Sequence, residues 1–215
     1  MPNAFDQARK VEAESRRILE PMLELHTNGR YVYTDKGPLA KEFQKKYGDL
    51  LVNMAANGEM NSIELKAERK PTGNLFLEFW SNGSRYNLGW MLHSEADLLF
   101  YHILDSDELY IAPMKRLKRW FWFGIGPKRQ NGISIIHKPA YLRFEAKRQN
   151  KYEQINDTWG CCVPVSVIKN EVGLKLVNPL GLFGIAEAIN KPPDFTREYI
   201  SGTERTRIQA GECAA

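Results

Sequence analysis

The sequence is poor in the residues that build disulfide frameworks and zinc sites. It has three cysteines, Cys161, Cys162 and Cys213, and four scattered histidines. An odd number of cysteines, two of them adjacent and none in a CxxC spacing, does not provide a set of pairs or a zinc-ligand pattern. The composition therefore argues against a disulfide scaffold and a structural zinc site, and it favours reduced thiols in a cytosolic protein.

Long apolar runs and several catalytic signatures are also missing. No stretch approaches the roughly 18 uninterrupted apolar residues that a membrane helix needs, and the charged start MPNAFDQARKVEAESRR contains no apolar signal segment. We therefore expect a cytoplasmic protein, located in the host cytoplasm if a phage encodes it. There is no Walker motif and no GxSxG, and the glycine pair at 124–126 lacks the third glycine of a dinucleotide fingerprint.

Charge is present but unevenly distributed. The formal net charge is +4, yet residues 115–151 contain eleven Lys/Arg and a single acid, Glu145. A basic block beside a net acidic remainder favours a polyanionic partner. A merely solvated basic surface explains the same charge pattern equally well, so charge alone leaves both interpretations open.

The hydrophobic periodicity changes along the chain and predicts an α+β fold. Residues 4–26 have helical spacing, with Pro21 expected to kink or split the helix, and a short helix is expected at 39–47. Strands are predicted at 49–54, 61–69, 75–81 and 108–113, a capped helix from Ser94 through Leu104, and a short helix at 115–123. The order helix, three antiparallel strands, helix, strand predicts a mixed sheet flanked by helices. Beyond residue 125 the pattern weakens, with possible strands at 133–136 and 163–168 and a possible helix at 179–190.

The predicted hairpin between the first two strands brings chemistry-bearing residues together. If Asn57 and Gly58 form a two-residue turn, Asp49 lies directly opposite Lys66, and Glu64 is a diagonal neighbour. Directly opposed residues share a face with β-carbons about 5 Å apart, and diagonal neighbours lie at roughly 7–8 Å. The register predicts one chemical face with Asp49, Glu64 and Lys66.

The other face of the same hairpin is apolar. It carries Leu50, Val52, Ile63 and Leu65, which we expect to enter the core. A slip of one residue would exchange the two faces.

Two carboxylates and a lysine at this spacing suit phosphodiester hydrolysis. Carboxylate oxygens are ligands for Mg²⁺. A bound divalent ion polarises a phosphoryl oxygen and lowers the pKa of a bound water, while a neighbouring lysine orients that water or stabilises developing charge.

At this point the sequence resembles a known superfamily. GDLLV followed by IELKAE is similar to the PD-(D/E)xK nucleases, in which an acid at the start of one strand joins an acid-x-lysine on the next. The resemblance covers about residues 1–125, and the stretch from GNLFLEFWSN to ELYIAP is similar to small phage or bacterial proteins of that superfamily. It implies a restriction-endonuclease-like core, with Asp49 and Glu64 as metal ligands, Lys66 as the catalytic lysine and the carbonyl of Leu65 as a further ligand. One departure is Gly48, which precedes the aspartate where the family pattern has proline.

Further acids are candidates for the same site. By resemblance, an acid of the first helix joins the metal ligands, and Glu20 or Glu24 would fill that place. Glu68 shares the face of Glu64, and Glu78 on the third strand alternates with core residues. For Glu68 and Glu78 a surface carboxylate is as good an interpretation as a ligand.

The acid-x-lysine motif by itself is weak, because it occurs three times in the chain. The competing interpretation is a solvated cross-strand pair of Asp49 and Lys66 on an ordinary sheet face.

The segment 115–123 mixes cations with aromatics. Lys115, Arg116, Lys118 and Arg119 suit contacts with nucleic-acid phosphates, whereas its aromatic residues have the spacing of helix core positions.

These observations predict a Mg²⁺-dependent nuclease, with Mn²⁺ able to substitute, acting on nucleic acid that is expected to be DNA. A catalytically silent nuclease-fold protein that binds nucleic acid or a partner protein is the alternative. A structural or regulatory protein with a soluble basic surface is a third hypothesis. We expect a nuclease core at 1–125, a basic extension packed on it at 126–190 and a polar tail at 191–215. A homodimer, no membrane association and a cytoplasmic location complete the expectations.

Overall fold

A computed structural model of the chain describes residues 4–53, 60–130, 133–149 and 157–179. It contains six helices and twelve strands within those ranges. The helices are α1 (Ala4–Thr27), α2 (Ala40–Tyr47), α3 (Trp90–His93), α4 (Met114–Phe123), α5 (Ala140–Arg143) and α6 (Val165–Glu171). The strands are β1 (Tyr31–Tyr33), β2 (Leu50–Asn53), β3 (Met60–Glu68), β4 (Asn74–Asn82), β5 (Asn87–Leu88), β6 (Leu98–Ile103), β7 (Glu108–Pro113), β8 (Ile125–Gln130), β9 (Ile133–His137), β10 (Ala146–Gln149), β11 (Thr158–Pro164) and β12 (Lys175–Val177).

The strands form three sheets. The largest is mixed and has the order β1-β2-β3-β6-β7-β12, with β3 and β6 parallel and the other neighbours antiparallel. A four-stranded sheet has the order β10-β11-β4-β5, and β8 and β9 form a separate pair. The predicted α+β class with a mixed sheet flanked by helices is therefore confirmed.

Two apolar clusters cover the central strands of the large sheet. One contains Leu19, Met22 and Leu23 of α1 together with Ile63 and Leu65 of β3. The other joins alternate residues of β6 to the second sheet and to α4. Because successive side chains of a strand point to opposite faces, the central strands are buried on both sides.

The first helix is confirmed and ends one residue later than expected, at Thr27. α1 continues through Pro21, so the proline does not split it. A proline in a helix removes one backbone hydrogen bond, and the apolar residues on either side of Pro21 pack into the core and hold the helix together. The short helix expected at 39–47 is confirmed as α2, and the helix expected at 115–123 is confirmed as α4.

The helix predicted from Ser94 to Leu104 is wrong. Residues 98–103 form β6, in which all six side chains are buried. A short continuous apolar run does not distinguish a buried strand from a buried helix by periodicity. The expected cap residue Asp97 instead accepts hydrogen bonds from the Ser62 backbone N–H and hydroxyl, at 2.8 and 2.7 Å. Asp97 thus ties β3 to the start of β6.

The third predicted strand exists, but it belongs to another sheet. β4 pairs with β11 and β5, whereas the neighbours of β3 in the large sheet are β2 and β6. The predicted meander of three antiparallel strands is therefore wrong. β4 and β5 form an antiparallel pair. The segment expected as a strand at 163–168 is mostly helix α6.

Part of the predicted basic extension contributes strands to the two larger sheets. β10 and β11 belong to the four-stranded sheet, and β12 extends the large sheet beside β7. The strand expected at 133–136 is present as β9. The helix expected at 179–190 falls almost entirely outside the described residues, as does the tail at 191–215.

In the described part of the chain, no helix has the combination of length and apolarity needed to cross a membrane.

Candidate active site

The register of β2 and β3 brings the two predicted metal-ligating acids side by side. Leu50 pairs with Ile63 and Asn53 with Met60, which places Asp49, one residue before β2, beside Glu64. The predicted pairing of Asp49 with Lys66 is wrong by two residues. The turn expected at 57–58 lies outside the described residues. Because side chains alternate with period two, a shift of two leaves every side chain on its predicted face.

Backbone contacts hold Asp49 against β3. Its N–H donates to the Ile63 carbonyl at 2.8 Å, and its Oδ2 accepts from the Leu65 N–H at 2.9 Å. The amide of Gln44, on α2, lies 3.3 Å from Asp49 Oδ1. These contacts orient a carboxylate that is only 9% exposed.

The glycine before Asp49 makes this close approach possible. Gly48 has a φ of +73°, and a β-carbon built on it would lie 2.6 Å from the Ile63 carbonyl oxygen. Proline cannot adopt this angle because its ring holds φ near −65°. The residue before Asp49 therefore has a backbone conformation that proline cannot adopt.

We expect Gly48→Ala to destabilise the protein and displace Asp49. Left-handed backbone strain costs about 1–3 kcal/mol in a non-glycine residue, and the overlap with Ile63 adds to it. Urea unfolding measures the change. Gly73→Ala is the matched control, since Gly73 has a φ of +71° and nothing within 4 Å of its built β-carbon. An equal loss in both variants would show that contact with Ile63 plays no part.

Lys66 completes the cluster. Its Nζ lies 2.6 Å from Glu64 Oε1 and 3.8 Å from Asp49 Oδ2. Glu64 is buried, while the Lys66 side chain is 31% exposed. The predicted convergence of these three side chains is thus present in the structure. The competing interpretation of a solvated Asp49–Lys66 pair does not describe it, because both carboxylates are buried.

The three groups shift one another's ionisation. Burial raises the pKa of Asp49 to about 6, helped by the charges of Glu64 and Glu12 and opposed by Lys66. Burial acts to raise the pKa of Glu64 as well, but Lys66 and a hydrogen bond from Ser94 hold it below its ordinary value. Burial opposes the charge on Lys66, but Glu64 and Asp49 raise its pKa above the ordinary value. At neutral pH Lys66 is therefore an ammonium.

Other acids influence the cluster from β4 and α1. Burial raises the pKa of Glu78 to about 7, and the charges of Lys66 and Glu64 also act on it. Its carboxylate accepts a hydrogen bond from the Trp90 N–H. From α1, Glu12 acts on Asp49 and Lys66.

The remaining acid candidates make other contacts. Glu20 lies 3.4 Å from the Tyr31 hydroxyl, and Glu24 lies against Gly29. The α1 acid whose charge acts on Asp49 and Lys66 is Glu12, which is also paired with Arg16. Glu68 accepts a hydrogen bond from the Tyr101 hydroxyl.

Sequence reasoning missed several neighbours of the cluster. Gln44 contacts Asp49, and Ser94 contacts Glu64. Ser94 was assigned to a helix cap because it stands three residues before Asp97, and no local pattern pointed to either contact. Both contacts arise from packing between separate elements. Gln44 lies on α2 and Asp49 just before β2, while Ser94 follows α3 and Glu64 lies on β3.

The carboxylate oxygens of the cluster suit a divalent ion such as Mg²⁺, which protein atoms coordinate only in part. Among the described residues, no group of three or more His, Cys, Asp or Glu is spaced to hold an ion by itself. Mg²⁺ is usually held by one or two carboxylates, with water and substrate phosphates filling the other positions. Asp49 and Glu64 supply two such carboxylates, and Glu78 lies near enough for Lys66 and Glu64 to act on its pKa.

The cations predicted to bind nucleic acid divide into two pairs. Lys115 and Arg119 are exposed on α4. Lys118 donates to the Ser94 carbonyl, and Arg116 lies 3.5 Å from the Glu171 carbonyl. All four lie on α4 and outside the β2–β3 pair, although the charge of Glu64 acts on Lys118.

The structure is therefore that of an α+β protein in which two buried carboxylates and a lysine cluster beside the β2–β3 pair. Comparisons with protein-family models, curated proteins and solved structures give no match to this chain.

Proposed function

We propose that this protein is a Mg²⁺-dependent nuclease that hydrolyses phosphodiester bonds, with DNA as the expected substrate. The observation that carries the proposal is the convergence of two buried carboxylates and one lysine, with Lys66 Nζ at 2.6 Å from Glu64 and 3.8 Å from Asp49. The resemblance of GDLLV and IELKAE to PD-(D/E)xK nucleases supports it. Mn²⁺ is expected to substitute for Mg²⁺.

In this proposal Asp49 and Glu64 would hold the metal ion, with the Leu65 carbonyl as a further ligand. When bound, the ion would supply polarisation of a phosphoryl oxygen and a lowered pKa for a water. The water oxygen bonds to phosphorus as the bond to the leaving oxygen breaks; the water gives up one proton, and the leaving oxygen takes up one proton from solvent.

Lys66 and Glu78 take different parts in the same reaction. Lys66 is protonated at neutral pH, so it serves as a donor to a phosphate oxygen and not as a base. A carboxyl with a pKa of about 7 exchanges protons readily at neutral pH. Glu78 is held by a hydrogen bond from the Trp90 N–H and lies near enough for the charges of Lys66 and Glu64 to act on it. It is therefore the candidate to take up the proton that the attacking water releases.

A gel assay tests the proposal directly. Plasmid and linear DNA are incubated with the protein in Mg²⁺, in Mn²⁺ and in EDTA. We expect nicked or shortened DNA with either ion and intact DNA with EDTA. Intact DNA under every condition would overturn the enzyme proposal.

One observation favours a second candidate, a nuclease-fold protein that binds nucleic acid without cutting it. Lys66 already neutralises Glu64 at 2.6 Å, so the cluster is electrostatically satisfied in part without a metal ion. DNA retained in a mobility-shift assay, with no cleavage in any metal ion, would identify this candidate. The predicted homodimer stays a prediction.

A second test concerns the exposed cations of α4. Each phosphate contact releases counterions, so binding weakens with salt, with a slope of about 0.7 to 0.9 per contact. We expect the double variant Lys115→Gln, Arg119→Gln to flatten that slope by about 1.4 to 1.8 units. The measurement is a salt titration of DNA binding in Ca²⁺, which is chosen to block turnover.

The control replaces two exposed lysines outside α4, Lys10 and Lys70, with glutamine. It has the same change in net charge and should leave the slope near the wild-type value. Equal flattening in both double variants would mean that only the net charge of the protein matters, and the α4 cations would then be an ordinary solvated surface.

A further inference from the structure

A groove runs along α4 beside the carboxylate cluster. Its volume is about 630 Å³, which is within the size range of sites that hold small ligands. Its lining combines apolar side chains with cations, namely Met91, Leu92, Lys115, Lys118, Arg119, Trp122 and Phe123. A groove with this lining offers an apolar floor and a basic rim.

One residue links the groove to the cluster. Lys118 Nζ donates to the carbonyl of Ser94, and the side chain of Ser94 hydrogen-bonds Glu64. Ser94 is buried, so it places Lys118 of the groove close to a carboxylate of the site.

Phe123 differs from the other aromatic residues of α4. Trp120 and Phe121 are buried, at 2% and 0% exposure, whereas Phe123 is 80% exposed and lines the groove. The helix ends directly after it at Gly124, which has a φ of +78°. Phe123 therefore presents an aromatic ring to solvent from the last position of a helix that is fixed to the core by its other aromatics.

The apolar side chains and the cations of the groove distinguish single-stranded from duplex nucleic acid. Both faces of the bases in a duplex are covered by their neighbours, so a duplex offers phosphates to the basic rim but no base face to an apolar floor. An unpaired base offers both, because it can stack on an aromatic ring while its phosphates contact cations.

We propose that this groove binds single-stranded nucleic acid, with an unpaired base stacked on Phe123 and its flanking phosphates on Lys115 and Arg119. The inference rests on the proposed nuclease function and names its substrate as an unpaired strand or end.

The test compares binding of single-stranded and duplex oligonucleotides by fluorescence anisotropy in Ca²⁺. The probes are labelled oligothymidine and oligouridine of about 15 nucleotides and a duplex of the same length. The wild type should bind a single-stranded probe more tightly than the duplex. The tighter of the two single-stranded probes identifies the DNA or RNA strand.

Phe123→Ala should weaken single-strand binding about 5- to 150-fold, the range for losing one stacked base. Binding of the duplex should change less than about twofold, since it uses phosphates alone. Phe123→Trp should restore single-strand affinity because it keeps an aromatic face. Tyr86→Ala is the control, as Tyr86 is 82% exposed but is not among the groove residues.

Three results would overturn the inference: tighter duplex binding by the wild type, equal losses on both probes in Phe123→Ala, or an equal loss in Tyr86→Ala. Since these are binding measurements, they are independent of turnover. Stacking on Phe123 without cleavage in Mg²⁺ would overturn the proposed function and leave the groove assignment standing. Mg²⁺-dependent cleavage that does not change in Phe123→Ala would support the proposed function and overturn the groove assignment.

Discussion

Glu64→Gln is expected to abolish Mg²⁺-dependent cleavage, by about 100-fold or more, the scale on which a single lost electrostatic contact acts in an active site. The substitution keeps the shape of the side chain but removes the negative charge that faces Lys66 at 2.6 Å. A neutral amide is a much poorer ligand for a hard divalent ion than a carboxylate. The loss is measured as the initial rate of DNA cleavage at saturating Mg²⁺.

The fold should survive this change. Glu64 Oε1 faces Lys66, whose side chain is 31% exposed, so the ammonium keeps access to water when its partner becomes neutral. Circular dichroism and the thermal midpoint check this point. Asp49→Asn should behave in the same way, because the amide oxygen can still accept from the Leu65 N–H.

Matched controls come from the acids of α1. Glu20→Gln and Glu24→Gln remove the same charge from residues that lie by Tyr31 and Gly29, and they should leave cleavage unchanged. Wild-type cleavage by Glu64→Gln would contradict the site assignment. A comparable loss in either control would mean that this acid of α1 belongs to the site.

Ile63→Asp is expected to unfold the protein. Ile63 is fully buried beside Leu50 and against α1. An unpaired buried charge costs several kcal/mol, and the total stability of a domain is about 5–15 kcal/mol. Loss of the cooperative unfolding transition in urea, or loss of soluble protein, is the expected readout.

The control lies on the same strand. Met60 is 53% exposed at the start of β3, so Met60→Asp adds the same charge in contact with water and should change stability by less than about 0.5 kcal/mol. A soluble Ile63→Asp protein with an unchanged transition would show that the two faces of β3 are reversed.

Alternation of side chains made the faces of β2 and β3 predictable. Ile63 and Leu65 were placed in the core, and Glu64 and Lys66 on the opposite face, from a period of two in the sequence. The register was not predictable in the same way, because it depends on residues 54–59 between the strands and on pairing across them. The predicted register was off by two residues. The predicted faces were still correct because side chains of a strand alternate with a period of two.

β6 shows why some elements were misread. The run Leu98–Ile103 has no polar face, because α1 covers one side of the sheet and the second sheet with α4 covers the other. Burial on both sides removes the alternation that identifies a strand. The segment forms a strand because it pairs with its neighbours β3 and β7.

Local patterns were enough to predict the α+β class, the first helix, the short basic helix α4 and the set Asp49, Glu64 and Lys66, because each depends on periodicity, turn residues or spacing. The partners of that set could not be predicted in this way, because they come from long-range packing. Gln44, Glu12 and Glu78 reach it from three different elements, and β4 lies in a second sheet because its apolar residues pair with β11, about 80 residues further along the chain. Contacts over such separations leave no periodic signal, since they depend on which surfaces exclude water together.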